Sequence, residues 1–247
     1  MKIGIGAENN ISKILKSLEK IKDKAHYVVF LAEEPLVKAD WIQYEISDDP
    51  CTAMIDALYS GSIDAAVRGT LPANYTLKAL KKRAGTDTLR RAAVLQTASG
   101  NKFLLAPVGV DEGWTVDEKI EFIRDLKPLA EKIQIDSSVA VLSGGRKGDL
   151  GRHKIVDRTI HDAEKISELT GSDNCEILIE DAAEHHGIII APDGISGNLI
   201  FRTLCLLGGG DAHGAPVLNI GKIFVDTSRA GSDYSNAVLL AISLVKK

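Results

Sequence analysis

Short apolar runs alternate with amphipathic segments along almost the whole chain, and that alternation confines it to an α/β fold built on parallel sheet. Lys2–Gly6 reads as an apolar strand. Asn9 is expected to cap a helix in which Ile11, Ile14, Leu15, Leu18 and Ile21 recur at helical spacing. Tyr27–Leu31 is a second buried-type strand. Pro50–Ser60 forms a helix that Gly61 ends, and Ile63–Val67 is a further strand. After Arg68-Gly69-Thr70, Asn74 opens a helix that stops at Gly85. Strands that feed helices in this way place their connecting loops at the carboxyl edge of a parallel sheet, where α/β proteins hold ligands.

The rhythm changes at Leu89. Arg91–Thr97 and Lys102–Pro107 flank Ala98-Ser99-Gly100-Asn101, which predicts a hairpin. Thr115 and Glu118 make a capping box for a long helix carrying Ile120, Ile123, Leu126 and Ile133. Val139–Leu142 predicts a strand, residues 154–169 a helix, and Glu176–Ile179 and Gly187–Ala191 two strands. A helix near Leu199–Leu207 ends at Gly208-Gly209-Gly210. Val217–Val225 then returns to strand and Tyr234–Val245 closes the chain as a helix. Two α/β lobes follow: residues 1–88 with 215–247 form the first, and residues 89–214 an inserted second. Gly69, Gly197 and Ser228 are expected around a cleft between the lobes.

Composition removes several classes of function. With 30 Lys and Arg against 34 Asp and Glu, the net charge of −4 argues against a broad nucleic-acid-binding face. Cys51, Cys175 and Cys205 are isolated and fit reduced thiols. No apolar stretch is long enough to span a bilayer, and a polar helix follows Lys2–Gly6. No membrane span and no signal peptide are therefore expected, and the cytoplasm is the expected compartment. Gly4-Ile5-Gly6 fails as a dinucleotide fingerprint because Asn9 occupies the third glycine position. The six histidines, His185-His186 among them, supply no convergent set for zinc, so no metal is expected. No Gly-x-Ser-x-Gly elbow is present.

Two stretches carry the chemistry. Gly187–Asn198 and Ile223–Arg229 each run from an apolar strand into a polar loop ahead of a helix. Arg229 offers a fixed cation with a bidentate fork, and Ser228 a hydroxyl beside it. Gly197, Asn198, Gly69 and Thr70 offer loop backbone donors to a small anionic substrate. Ser143–Arg152 is a glycine-rich loop with Arg146 and Arg152 after a strand, and is either a second anion loop or a surface turn. Glu180-Asp181 either faces the cleft or caps a helix.

Asp64-Ala-Ala-Val-Arg-Gly-Thr70, Glu180-Asp-Ala-Ala183, Pro192-Asp-Gly-Ile-Ser-Gly-Asn198 and Gly214-Ala-Pro-Val-Leu218 through Ser228-Arg229 stand in an order that resembles the superfamily of phosphate acetyl- and butyryltransferases and PlsX. The resemblance runs from about Ile63 onward. It implies a two-lobed α/β/α fold similar to isocitrate and isopropylmalate dehydrogenases, and a homodimer. It also implies a thiol-orienting role for Ser228, an acyl-phosphate-binding role for Arg229, and coenzyme A or coenzyme M as thiol substrate. Ala98-Ser-Gly100, Pro107-Val-Gly-Val-Asp-Glu-Gly-Trp114 and Ser143-Gly-Gly-Arg146 narrow the likeness to a methanogen family, MtxX, that carries a methyltransferase-related label. No S-adenosylmethionine-type glycine loop and no corrinoid-binding histidine motif supports that label. In the acetyltransferases an aspartate seven residues after the serine deprotonates coenzyme A. Here that position is Ser235, and Asp233 is the nearest acid.

Three functions stay open on the sequence. One is a transferase that binds a phosphorylated or acyl-phosphate-like anion, with Ser228 and Asp233 at the reacting atoms. Another is a non-catalytic ligand-binding subunit of a methyltransferase complex. The third is methyl transfer in its own right, which rests on the family label alone.

Overall fold

The computed structural model describes residues 1–8 and 10–246, so the cap expected at Asn9 lies outside the described residues. The chain folds as two compact units. Met1–Leu89 with His213–Lys247 forms one, and Arg90–Ala212 the other.

The first unit carries a six-stranded sheet. Its strands are β1 (Lys2–Gly6), β2 (His26–Leu31), β3 (Ile42–Ile46), β4 (Ala65–Val67), β11 (Ala215–Pro216) and β12 (Ile223–Asp226). They lie in the order β11-β12-β4-β1-β2-β3, parallel except for the edge strand β11. Both faces of β1 and β4 are buried, which explains their unbroken apolar runs. Helices α2 (Pro50–Ser60) and α3 (Ala73–Ala84) cover the face bearing Val28, Phe30, Ala66 and Phe224. Helix α8 (Ser235–Val245) packs on β12, β4 and β1. Asp49 caps α2 through the Thr52 amide at 3.0 Å, with Pro50 in the first turn. Gly61 and Gly85 end α2 and α3 in left-handed conformations. Helix α1 (Ile11–Glu19) begins after Asn10, itself left-handed and without a side-chain cap.

The second unit holds another six-stranded sheet. Its strands are β5 (Ala93–Gln96), β6 (Lys102–Ala106), β7 (Val139–Leu142), β8 (Asp173–Glu176), β9 (Ile188–Ile190) and β10 (Asp211–Ala212), in the order β10-β5-β6-β9-β7-β8. The hairpin expected around Ser99-Gly100 is the antiparallel β5–β6 pair. The Thr115–Glu118 capping box opens α4 (Val116–Lys132). Helix α5 (Lys154–Thr170) follows, then α6 (Ile179–His185) and α7 (Gly194–Leu206).

Four sequence expectations are corrected. The strand expected at Glu176–Ile179 lies earlier, at β8, and Ile179 already opens α6. Glu180 and Asp181 sit in the first turn of α6, where their charge favours the helix dipole. Val217–Val225 is not one strand, because only β11 and β12 pair there. Helix α7 begins at Gly194 rather than near Leu199. Asp193 is its cap, accepting from the Ser196 amide at 2.8 Å, which puts Gly197 and Asn198 inside the helix instead of in a loop.

Candidate functional site

In the first unit the winding reverses between β1 and β4, and the loops after β1, β4 and β12 adjoin at the carboxyl edge of the sheet. This is where an open parallel sheet forms a crevice. The loop after β4 is fixed from within. Arg68 is buried, at 4% exposure, and its Nε donates to Asp226 Oδ1. Its Nη1 donates to the Leu71 carbonyl at 2.6 Å, and its Nη2 to the Thr227 carbonyl. Thr227 Oγ1 donates to the Gly69 carbonyl at 2.9 Å. Gly69 takes φ +61, and a Cβ there would stand 2.1 Å from the Gly6 carbonyl oxygen, so only glycine fits. Thr70 donates its amide to Gly6 at 3.0 Å and accepts the Glu8 amide on Oγ1 at 2.9 Å. Gly69 and Thr70 thus bind the three loops to one another.

The loop after β12 is held by α1. Lys13 donates to the Gly231 carbonyl at 2.9 Å, Ser17 Oγ accepts the Tyr234 amide at 3.0 Å, and Lys20 pairs with Asp233 at 2.6 Å. Inside that loop Ser228 Oγ accepts the Ala230 amide at 3.2 Å. Arg229 projects outward. Its side chain is 60% exposed, and Nη1 stands 3.9 Å from Glu8 Oε2. Arg68, Lys20 and Arg229 here stand beside Asp226, Asp233 and Glu8, while Lys13 is bound to a carbonyl.

Asp233 is engaged as a structural group. Burial pushes its carboxyl up, but hydrogen bonds from Lys20, from the Ser235 amide and hydroxyl and from Ser17 outweigh it, bringing the pKa down to about 2. Ser235 is the buried first residue of α8. Burial raises all three thiols, Cys205 to about 11.

The remaining expected residues belong to the second unit. Gly197 packs against the backbone of the loop after β6: a Cβ there would stand 1.9 Å from the Pro107 carbonyl oxygen. Asn198 Nδ2 donates to the Val108 carbonyl at 3.1 Å. Gly194 donates to the Glu112 carbonyl at 3.0 Å, and buried Glu112 accepts Arg91 Nε at 2.6 Å. Burial raises the Glu112 pKa against the opposing pull of Arg91. The Pro107–Trp114 motif is thus the seat of the α7 amino terminus. Ser143 is buried and donates to the Gly145 carbonyl at 2.7 Å, while Arg146 is exposed. The amides of Gly144, Arg146 and Lys147 already donate to Thr159, Asp149 and Glu176. Among the described residues, no cluster of His, Cys, Asp and Glu could hold a metal ion, and no helix is long and apolar enough to cross a membrane.

The structure places Ser228 and Arg229 in the loop after β12, and the sequence did not reveal what holds that loop, the Arg68–Asp226 pair and the α1 contacts from Lys13, Ser17 and Lys20. The second carried a signal: polar residues at helical spacing beside Ile14 and Leu18. The first carried none, since the partners stand 158 residues apart.

No family model matches the chain. It is 42% identical over 251 residues to a Methanosarcina mazei protein named "Putative methyltransferase mtx subunit X", covering 98% of this chain and 90% of that one. A Methanocaldococcus jannaschii protein named as an uncharacterized methyltransferase is 38% identical over 254 residues, covering 97% and 96%. Among solved structures, a branched-chain phosphotransacylase of Enterococcus faecalis superposes with a TM-score of 0.79 at 16% identity, covering 100% of this chain and 99% of that chain. A Streptococcus pyogenes phosphotransacetylase gives 0.68 at 18% identity, covering 99% and 93%. These neighbours show the fold, an α/β architecture shared with phosphotransacetylases.

Proposed function

We propose that this chain, which belongs to the MtxX family of methanogen proteins, binds a phosphorylated or acyl-phosphate-like anion at the loops after β1, β4 and β12. Arg229 holds the anion through its guanidinium fork, and Ser228 orients a thiol such as coenzyme A or coenzyme M beside it. The carrying observation is the Arg229 side chain, 60% exposed at the carboxyl edge of the sheet, with Nη1 3.9 Å from the Glu8 carboxylate. Arg68, by contrast, spends its donors on protein oxygens. A phosphoryl group would give Arg229 the charge-assisted bonds it lacks.

Proton transfer at this site is weak in our account. Ser235 stands where the resemblance puts the base, and a hydroxyl is a poor proton acceptor at neutral pH. Asp233 shapes the loop through Lys20 and Ser235. The protein therefore binds its ligand well and turns it over slowly on its own. That balance also supports the second reading, a ligand-binding subunit of a methyltransferase system, in keeping with the relatives' name as a subunit. Turnover by the purified protein separates the two: a transferase acts alone, a subunit only with its partner.

A thermal-shift series with inorganic phosphate, acetyl phosphate, coenzyme A and coenzyme M tests the proposal. A ligand at a hundred times its Kd stabilises the native state by about 2.7 kcal/mol. The phosphate-bearing compounds should raise the melting temperature of the wild type and leave Arg229→Ala unmoved. Equal shifts in both proteins would place the anion away from Arg229.

A further inference from the structure

Arg229 and Glu8 form an open ion pair. Nη1 of Arg229 stands 3.9 Å from Glu8 Oε2, beyond the roughly 2.7–2.9 Å of a closed charge-assisted bond. Both side chains reach water, at 60% and 39% exposure, and a pair of that length and exposure contributes little to stability. Their backbones are nonetheless held in place. Ala7 donates its amide to the Phe30 carbonyl at 2.8 Å, and Glu8 donates its own to Thr70 Oγ1 at 2.9 Å. The end of β1 is thereby tied to β2 and to the loop after β4. Lys13 and Lys20, in and just after α1, hold the loop that carries Arg229. The fold keeps a guanidinium and a carboxylate side by side without bonding them.

The two other acids of this edge are committed elsewhere. Asp226 accepts from Arg68 and the Thr227 amide, and Asp233 from Lys20 and the Ser235 amide. Glu8 is the acid beside Arg229, and the chemistry of that pair is selective. A guanidinium only donates hydrogen bonds, and a carboxylate only accepts them. An anion that accepts from Arg229 and also donates to Glu8 satisfies both. An anion without a proton meets the carboxylate as a bare like charge, which counts against it. Phosphate groups meet the condition, because the second pKa of a phosphate monoester is about 6 and a P–OH persists near neutrality. Sulfate and sulfonates carry no proton there. An acyl phosphate, made more acidic by its electron-withdrawing acyl group, stands between the two.

We infer that Glu8 is a specificity-determining residue, which accepts a hydrogen bond from a P–OH of the anion on Arg229 and turns away anions without a proton. The anion site proposed above, on which this rests, then takes inorganic phosphate or a phosphate monoester in preference to a sulfate or a sulfonate.

Calorimetric titration at pH 7 and constant ionic strength, with inorganic phosphate and with sulfate, reads the selection. Wild type should favour phosphate by about 10-fold or more, the equivalent of about 1.4 kcal/mol. Glu8→Gln offers sulfate an amide N–H in place of a carboxylate, so the ratio should fall to within about threefold, mainly through tighter sulfate binding. Far-UV circular dichroism reports whether the variant is folded. A wild-type ratio near one, with phosphate affinity still lost in Arg229→Ala, overturns the role of Glu8 and leaves the anion site standing. A ratio that persists in folded Glu8→Gln overturns it as well, since the selection then lies elsewhere. Phosphate affinity unchanged in Arg229→Ala removes the anion site itself, and the role of Glu8 with it.

Discussion

Arg68 and Asp226, 158 residues apart in sequence, form a buried ion pair that joins the ends of the adjacent parallel strands β4 and β12. The same guanidinium reaches the Leu71 and Thr227 carbonyls, so one side chain sets the geometry of two loops. Removing one partner of a buried pair strands the other charge, which typically costs about 3–5 kcal/mol. Asp226→Ala should therefore lower the unfolding free energy by about that amount in urea titrations. A loss under 1 kcal/mol would mean that water reaches the guanidinium.

Gly197 is a packing residue in this structure, pressed against the Pro107 carbonyl. Gly197→Ala adds a methyl group where the backbone leaves no room, and overpacking of this kind costs about 1–3 kcal/mol. The melting temperature should fall while affinity for inorganic phosphate, measured on the folded protein, stays within about twofold. A selective loss of phosphate affinity with unchanged stability would return Gly197 to the ligand site.

The Asp233 pKa of about 2 lies below the ordinary 3.8, so the unfolded chain takes up this proton first as pH falls. Its stabilisation is complete above about pH 4 and is lost as pH drops toward 2. The carboxylate is partly exposed, which screens its pairing with Lys20, so Asp233→Asn should cost only about 0.5–1 kcal/mol at pH 7. The variant and the wild type should converge in stability as the pH approaches 2. Parallel curves through that window would deny Asp233 its depressed pKa.

A base placed at the start of α8 should awaken acyl transfer. A thiol of pKa near 8.5 is only a few per cent ionised at pH 7, and a positioned base typically contributes about 10²–10⁴-fold. Ser235→Asp puts a carboxylate in the first turn of a helix, where the dipole favours its charge, and against Asp233, whose repulsion raises the new carboxyl's pKa toward that of a working base. The initial rate of acetyl-coenzyme A formation from acetyl phosphate should be low in the wild type and higher in the variant. A wild-type rate typical of acetyltransferases would show that a base is already in place.

What could be read from the sequence follows from how local each signal is. The capping box at Thr115 and Glu118, the glycine stops at Gly61 and Gly85, and the apolar runs of β1 and β2 are short-range features, and each element formed where it was expected. Edge strands escaped. Ile42–Ile46 and Asp173–Glu176 are mostly exposed and polar, so they lack the apolar run that marks a central strand. The apolar run Leu199–Leu207 points to a late start for α7, whereas the cap lies earlier in the polar residues Asp193 and Ser196. The place of Ser228 and Arg229 in a loop between β12 and α8 was legible from strand, loop and helix order. Glu8 was not, because its place beside Arg229 depends on which strands become neighbours.

The proposed hold of Arg229 on an anion at the carboxyl edge of the first unit's sheet is tested most directly by calorimetric titration of the purified protein with inorganic phosphate. Wild type should bind at a single site, and Arg229→Ala should lose about 1.5–3 kcal/mol of affinity, the range for a hydrogen bond to a charged group. Unchanged affinity in Arg229→Ala, together with loss in Arg146→Ala, would contradict the account and move the anion to the glycine-rich loop after β7.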